Sequence, residues 1–172
     1  IEQIDGAAFS GCENLSKVIL PASVDNVGLG IFSNCPLLET AGPRGSGCNI
    51  EFGWTRRMPN YVFALCQSLT EVTIPEGTVD VGYGAFMLCT GLTKVTFPEG
   101  IELIEGQGFA FCKNLSVVEM PKSVREIDAD AFYACDALSD VYYDGTQREW
   151  EQVAIANGNE DLTEAILHSK TL

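Results

Sequence analysis

The chain has 172 residues, 46% of them apolar, a length and composition suited to one domain with a real hydrophobic core. With 24 acidic against 10 basic residues its net charge is −14, a field that repels phosphate backbones and argues against nucleic acid as a partner. No apolar run approaches the roughly 18 residues of a membrane helix, so the chain is not expected to be membrane-embedded.

From the N-terminus onward one phrase recurs. Phe9, Phe32, Phe63, Phe86, Phe109 and Phe132 each precede a cysteine by three residues (Cys12, Cys35, Cys66, Cys89, Cys112, Cys135) and a leucine by six (Leu15, Leu38, Leu69, Leu92, Leu115, Leu138). Four of the five intervals are 23 residues and one, Phe32 to Phe63, is 31. A fixed period in the twenties marks a solenoid, in which each unit buries its apolar face against its neighbours. The sequence opens inside a unit, because Ile1, Ile4 and Phe9 match Val124, Ile127 and Phe132; a fragment with upstream repeats or a cap is therefore expected.

Between Leu38 and Met58 the chain carries eight residues beyond a standard unit. Gly42, Pro43, Gly45 and Gly47 signal a turn, after which Ile50, Phe52 and Trp54 alternate with Asn49, Glu51 and Gly53 as in a half-buried strand. Arg44, Arg56 and Arg57 bring three of the few basic residues to this insertion. Insertions in repeats form loops on one face, often the binding face. Two readings stand: Phe52, Trp54 and the arginines contact a ligand, or the aromatics cover the scaffold. The glycines make no phosphate loop, since no Gly-Lys-Ser/Thr follows them.

The regular units read alike. In the fifth, Leu115, Val118 and Met120 follow an L-x-x-L-x-L spacing, with the last two alternating inward on a short strand. Pro121 ends that strand because it has no N–H to give a neighbouring coil, and Pro21, Pro75 and Pro98 act likewise. The following spacing of three and four, through Phe132-x-x-Cys135, suggests a helical or 3₁₀ turn. Ser16, Thr70, Thr93, Ser116 and Ser139 stand in a column suited to hydrogen bonding between coils. Asn14-Leu-Ser and Asn114-Leu-Ser, though glycosylation patterns, follow from the same repeat grammar.

Six of the seven cysteines obey the repeat and would stack at about the 4.8 Å strand spacing. Buried free thiols are the expected state, since parallel Cβ vectors on stacked coils oppose disulfides that the distances would allow. Cys48 stands outside the column. No Cys-x-x-Cys or Cys/His pair occurs, so no metal or cofactor is expected.

After Val141-Tyr142-Tyr143 the repeat stops. Thr146-Gln147-Arg148-Glu149 is a capping box that predicts a short helix to about Val153, with Trp150 covering the end of the stack. Asn157-Gly158-Asn159 reads as a turn and Ala165-Ile166-Leu167-His168 as a last short strand. Six acidic residues against only Arg148 between 144 and 164 concentrate charge here.

The phrase L-x-x-V-x-I-P-x-S-V-x-x-I-G-x-x-A-F-x-x-C, as in Leu15 to Cys35 or Leu115 to Cys135, resembles the BspA-like, or treponemal-type, leucine-rich repeat. Ser23, Gly77, Gly100 and Ser123 stand where leucine-rich repeats often have asparagine, so no asparagine ladder is expected. The resemblance implies an α/β fold: a right-handed leucine-rich-repeat solenoid, or horseshoe, with a parallel concave sheet, short helical or 3₁₀ turns on the convex side and a C-terminal cap. It implies one domain over 1–172, with about six 23-residue repeats in 1–143, an insertion near 40–60 and the cap in 144–172. It also implies an extracellular or cell-surface bacterial protein that binds a host or neighbouring-cell protein or glycan.

Candidate contacts on the concave face are the strand residues that alternate with the buried ones: Lys17, Glu71, Thr73, Lys94, Thr96, Glu119, Asp140 and Tyr142. Mixed polarity with one aromatic suits protein or glycan contact. Catalysis is not expected. His168 is the sole histidine, and although Glu119 and Asp140 fall on adjacent coils at glycosidase-like separation, an open sheet face excludes no water. Three readings stand: a non-catalytic adhesion or protein-binding module, a passive spacer presenting another domain, and a glycan-active enzyme.

Overall fold

In the three units whose strands run into Pro75, Pro98 and Pro121, alternate side chains before the proline turn inward. Val72 and Ile74, Val95 and Phe97, and Val118 and Met120 are buried, while the residues between them face outward. The computed structural model describes residues 3–21, 24, 26–43, 45–48, 50–52 and 56–171. The strands in the first half are β1 (Gln3–Ile4), β2 (Val18–Ile19), β3 (Asn26–Val27), β4 (Thr40–Pro43), β5 (Ile50–Phe52), β6 (Arg57–Met58), β7 (Glu71–Thr73) and β8 (Asp80–Val81). They continue as β9 (Lys94–Thr96), β10 (Leu103–Ile104), β11 (Val117–Met120), β12 (Glu126–Ile127) and β13 (Asp140–Thr146). Helix α1 (Gln147–Trp150), β14 (Ala154–Ile155), α2 (Glu160–Glu164) and β15 (Ile166–Lys170) complete the chain.

Among the described residues these strands form a broad parallel sheet ordered β15-β13-β11-β9-β7-β4-β5-β2 and a narrow one ordered β14-β12-β10-β8-β6, with β1-β3 as a separate pair. The molecule is thus a stack of parallel coils, the leucine-rich-repeat solenoid. The narrow sheet was not anticipated. It arises where Met58, Val81, Ile104 and Ile127 turn fully into the core from strands of two residues each.

Between the sheets, each coil passes through turns centred on its phenylalanine. Backbone amides alternate there. Tyr61, Phe63 and Leu65 donate to the next coil, at Tyr83, Ala85 and Met87, whereas Val62, Ala64 and Cys66 donate three residues back. The three-residue bonds are of 3₁₀ type, but no helix propagates, because each coil has a left-handed residue two before and two after its phenylalanine. They are Tyr61 and Leu65 in one coil, Gln107 and Phe111 in another, and Asp130 and Ala134 in a third. An isolated left-handed residue costs about 1–2 kcal/mol, which the bonds to the next coil must offset. Gly84 occupies such a position at φ 60, where a Cβ would also come within 2.6 Å of the Tyr61 ring.

The core is a pile of rings. Phe9, Phe32, Phe63, Phe86, Phe109 and Phe132 stack in sequence with centroids 4.9–5.9 Å apart. Each such contact contributes about 0.5–1.5 kcal/mol beyond burial. Beside them runs the thiol column. Cys66, Cys89 and Cys112 each donate at 3.1 Å to the carbonyl oxygen of the phenylalanine in the preceding coil, at Phe32, Phe63 and Phe86. The cysteines are free, and burial pushes the Cys66 and Cys135 thiols up to about 12. The hydroxyl column also joins coils: Thr70 and Ser116 donate to the carbonyls of Glu39 and Thr93. Asn114 does the same to Thr90 at 2.7 Å, which gives its side chain a structural task.

At the C-terminal end, α1 has the expected capping box: the Thr146 hydroxyl accepts from the Glu149 amide and the Glu149 carboxylate from the Thr146 amide. The helix stops at Trp150, short of Val153, because Ala154 and Ile155 pair with Glu126 and Ile127 in the narrow sheet. Trp150 packs on the core and on Tyr143, centroids 5.1 Å apart.

Candidate functional site

Two rows of side chains face outward from the broad sheet. Strand register sets Thr73, Thr96, Glu119, Tyr142 and His168 opposite one another in the first, and Glu71, Lys94, Val117, Asp140 and Ile166 in the second. All the expected contact residues from Glu71 to Tyr142 therefore share one face. Lys17 is exposed one residue before β2, at the far edge of the sheet.

Across the C-terminal strands these side chains engage one another. The Lys94 ammonium meets Glu119 at 2.7 Å, and the Thr96 hydroxyl donates to the other oxygen of Glu119 at 2.7 Å. Those two hydrogen bonds, that of Lys94 foremost, hold the Glu119 carboxyl below its usual range. His168 Nε2 lies 2.7 Å from an Asp140 oxygen, the Ser139 hydroxyl donates to the other, and Ser139 first and His168 second lower the Asp140 pKa. His168 also stacks on Tyr142, centroids 4.3 Å apart and planes 9° apart, with Tyr142 44% exposed.

Next to this row, where the strands end, lies a hollow of about 550 Å³ lined by Phe97, Glu99, Glu119, Tyr142, His168 and Lys170, among others. His168 was not among the expected contacts. The repeat places partners 23 residues apart, but β15 pairs at 26, so that Tyr142 faces His168. The only signal was the predicted last strand itself.

The insertion behaves differently. Phe52 is fully buried and packs on Phe63 at 5.7 Å, so it offers a ligand no surface; its expected contact role is withdrawn. β5 is an extra strand between β4 and β2, and Glu51, only 8% exposed, accepts from the amides of Gly45 and Gly47 with its two oxygens. Gly42 faces the same loop, for a Cβ there would sit 3.0 Å from the Cys48 sulfur. The loop thus packs against β4 at Gly42. Arg57 belongs to the narrow sheet and pairs with Glu105, while the exposed Arg56 accepts through its carbonyl from Val79 and Asp80. Neither joins the row that carries Tyr142. Arg44 and Trp54 lie outside the described residues.

No cluster of three or more metal-ligating side chains occurs among the described residues, and no described helix is long and apolar enough to cross a membrane.

The coil pattern matches a family model described as the BspA type leucine-rich repeat region, in six copies over residues 1–45 and 56–171. The chain belongs to the BspA-type leucine-rich-repeat family. Comparison with curated proteins gives no match. Among solved structures it is similar to a leucine-rich cell surface protein from Faecalibacterium prausnitzii, with 26% identity over 90% of this chain and 32% of that one, at a TM-score of 0.58. It is also similar in fold to the leucine-rich-repeat protein of T. pallidum, with 24% identity over 91% of this chain and 62% of that one, at a TM-score of 0.53. The chain therefore spans less than two thirds of the length of either.

Proposed function

We propose that this chain is a non-catalytic binding module of a bacterial surface protein, engaging a protein or glycan on a host or neighbouring cell. The observation that carries the reading is the gathering of an exposed aromatic stack, Tyr142 on His168, with Lys94, Glu119, Asp140 and the exposed Ile166 on one open face beside the hollow. A passive spacer needs no such concentration. Family membership and the likeness to a bacterial cell surface protein support the location. Glu71, Thr73, Thr96 and Lys17 form the outlying part of the same surface; Arg56, on another side of the coil, is peripheral to it.

The two carboxylates give no support to a glycosidase reading. A glycosidase requires one carboxyl held protonated, with its pKa raised. Here Glu119 and Asp140 are both lowered, each by hydrogen bonds from its neighbours.

The test is binding of the intact chain to host cells and to an array of surface proteins and glycans, beside Tyr142→Ala and a Glu160→Ala control. Central aromatic anchors contribute about 2 kcal/mol or more, so Tyr142→Ala should weaken binding at least about thirtyfold. Binding unchanged in Tyr142→Ala would remove the site, and absence of any ligand would leave the spacer reading.

A further inference from the structure

We infer that the hollow beside Tyr142 receives a cationic side chain, an arginine or lysine, carried on an apolar stretch of a partner protein. The inference rests on the binding role proposed above and names the chemistry recognised there. The charges around the hollow are mostly matched within the chain, Glu119 by Lys94 and Asp144 by Lys170, and the His168 ring is held by its hydrogen bond to Asp140. Glu99 is different. It is exposed, lines the hollow and takes part in no ion pair among the described residues. Its charge is felt locally, since burial and then the charges of Glu149 and Glu99 hold the Tyr143 phenol above its ordinary value.

The groups left over are thus one carboxylate, the part-exposed ring of Tyr142, and an apolar lining from Phe97, Met120 and Pro121. Their complement is a cation on an apolar stem. A guanidinium or ammonium is drawn to both a carboxylate and an aromatic ring, and its methylenes cover apolar surface while the charge stays at the rim. The net charge of −14 adds long-range attraction for such a partner and repels an acidic one. A neutral sugar would use Tyr142 but leave Glu99 without a counter-charge.

The intact chain is tested on immobilised Gly-Leu-Arg-Leu-Gly peptides, on the same peptides with citrulline or glutamate in place of arginine, and on neutral glycans. The arginine peptide should bind at least roughly fivefold better than its citrulline isostere, the scale of one partly screened ion pair, and should weaken as salt rises. Glu99→Gln should abolish that preference while leaving citrulline-peptide binding as it was. Equal binding of arginine and citrulline, no effect of Glu99→Gln, or selection of a glycan through Tyr142 would each overturn the proposal. Cell binding read in parallel separates the two levels. If Tyr142→Ala reduces cell binding but Glu99→Gln and salt do not, the cation proposal fails and the binding role stands. If the chain binds neither cells nor any probe, both fail.

Discussion

The side-chain carbonyl of Asn159 accepts from the backbone amide of Phe132 at 2.9 Å, taking the place that a backbone carbonyl holds one coil earlier, where the Phe109 amide donates to Ala131. Asn159 is 2% exposed, and its amide nitrogen donates to the carbonyls of Asp128 and Ala156. Nearby, Asp161 accepts from the Cys135 amide at 3.0 Å. Side chains therefore finish the inter-coil ladder where the repeat stops. Asn159 heads α2 without capping it, since its side chain is engaged in this way.

Asn159→Ala should accordingly destabilise the protein by about 1–3 kcal/mol, the cost of leaving buried backbone groups without partners. Denaturant unfolding measures it. A loss no larger than that of an exposed substitution such as Glu160→Ala would show that the ladder needs no terminating group.

The assignment of inner and outer faces predicts unequal losses. Phe109 is fully buried between Phe86 and Phe132, so Phe109→Ala should cost about 3–5 kcal/mol. Thr73 faces outward, and Thr73→Ala should stay within about 0.5 kcal/mol. Unfolding midpoints check the pair; similar losses would refute the faces.

The thiol column predicts a pH dependence. Burial raises the Cys66 and Cys135 thiols from 9.0 to about 12, and it raises Cys89 and Cys112 as well. Between those values the unfolded chain has lost protons that the folded chain retains, so stability falls as pH rises. From neutral pH up to about 9.0, where the unfolded thiols stay protonated, the melting temperature should hold steady, and it should drop as pH rises toward about 12. Cys66→Ala should flatten that drop. The separate loss expected in acid belongs to the lowered carboxylates of Glu119 and Asp140. In native protein a thiol reagent should reach the part-exposed Cys12 and Cys48 well before Cys66, Cys89 and Cys112.

The stack and its inward-facing residues were legible in the sequence, because every coil sets the same steric demand at Phe109, Cys112, Leu115 and Val118 and meets it with the same residues. The left-handed pairs were not. Tyr61, Leu65, Gln107 and Phe111 carry no glycine signature, and the bonds to the next coil impose their conformation. The narrow sheet was hidden because strands of two residues, such as Leu103–Ile104, are too short to show an alternating pattern. At the site, the outward rows followed from alternation, but the neighbour of Tyr142 depended on a terminal register that departs from the repeat. Phe52 had the alternation of a half-buried strand; the extra strand instead takes it wholly into the core beside Phe63.

The central claim is that this open face, around Tyr142 and His168, is where the chain meets its partner. The most direct measurement compares binding of host cells by the intact protein, by Tyr142→Ala and by His168→Ala, with thermal unfolding confirming that each variant is folded. The account predicts that Tyr142→Ala loses binding by at least about thirtyfold and His168→Ala by at least about tenfold, since each removes one ring of the exposed stack. Full binding by both folded variants would contradict it.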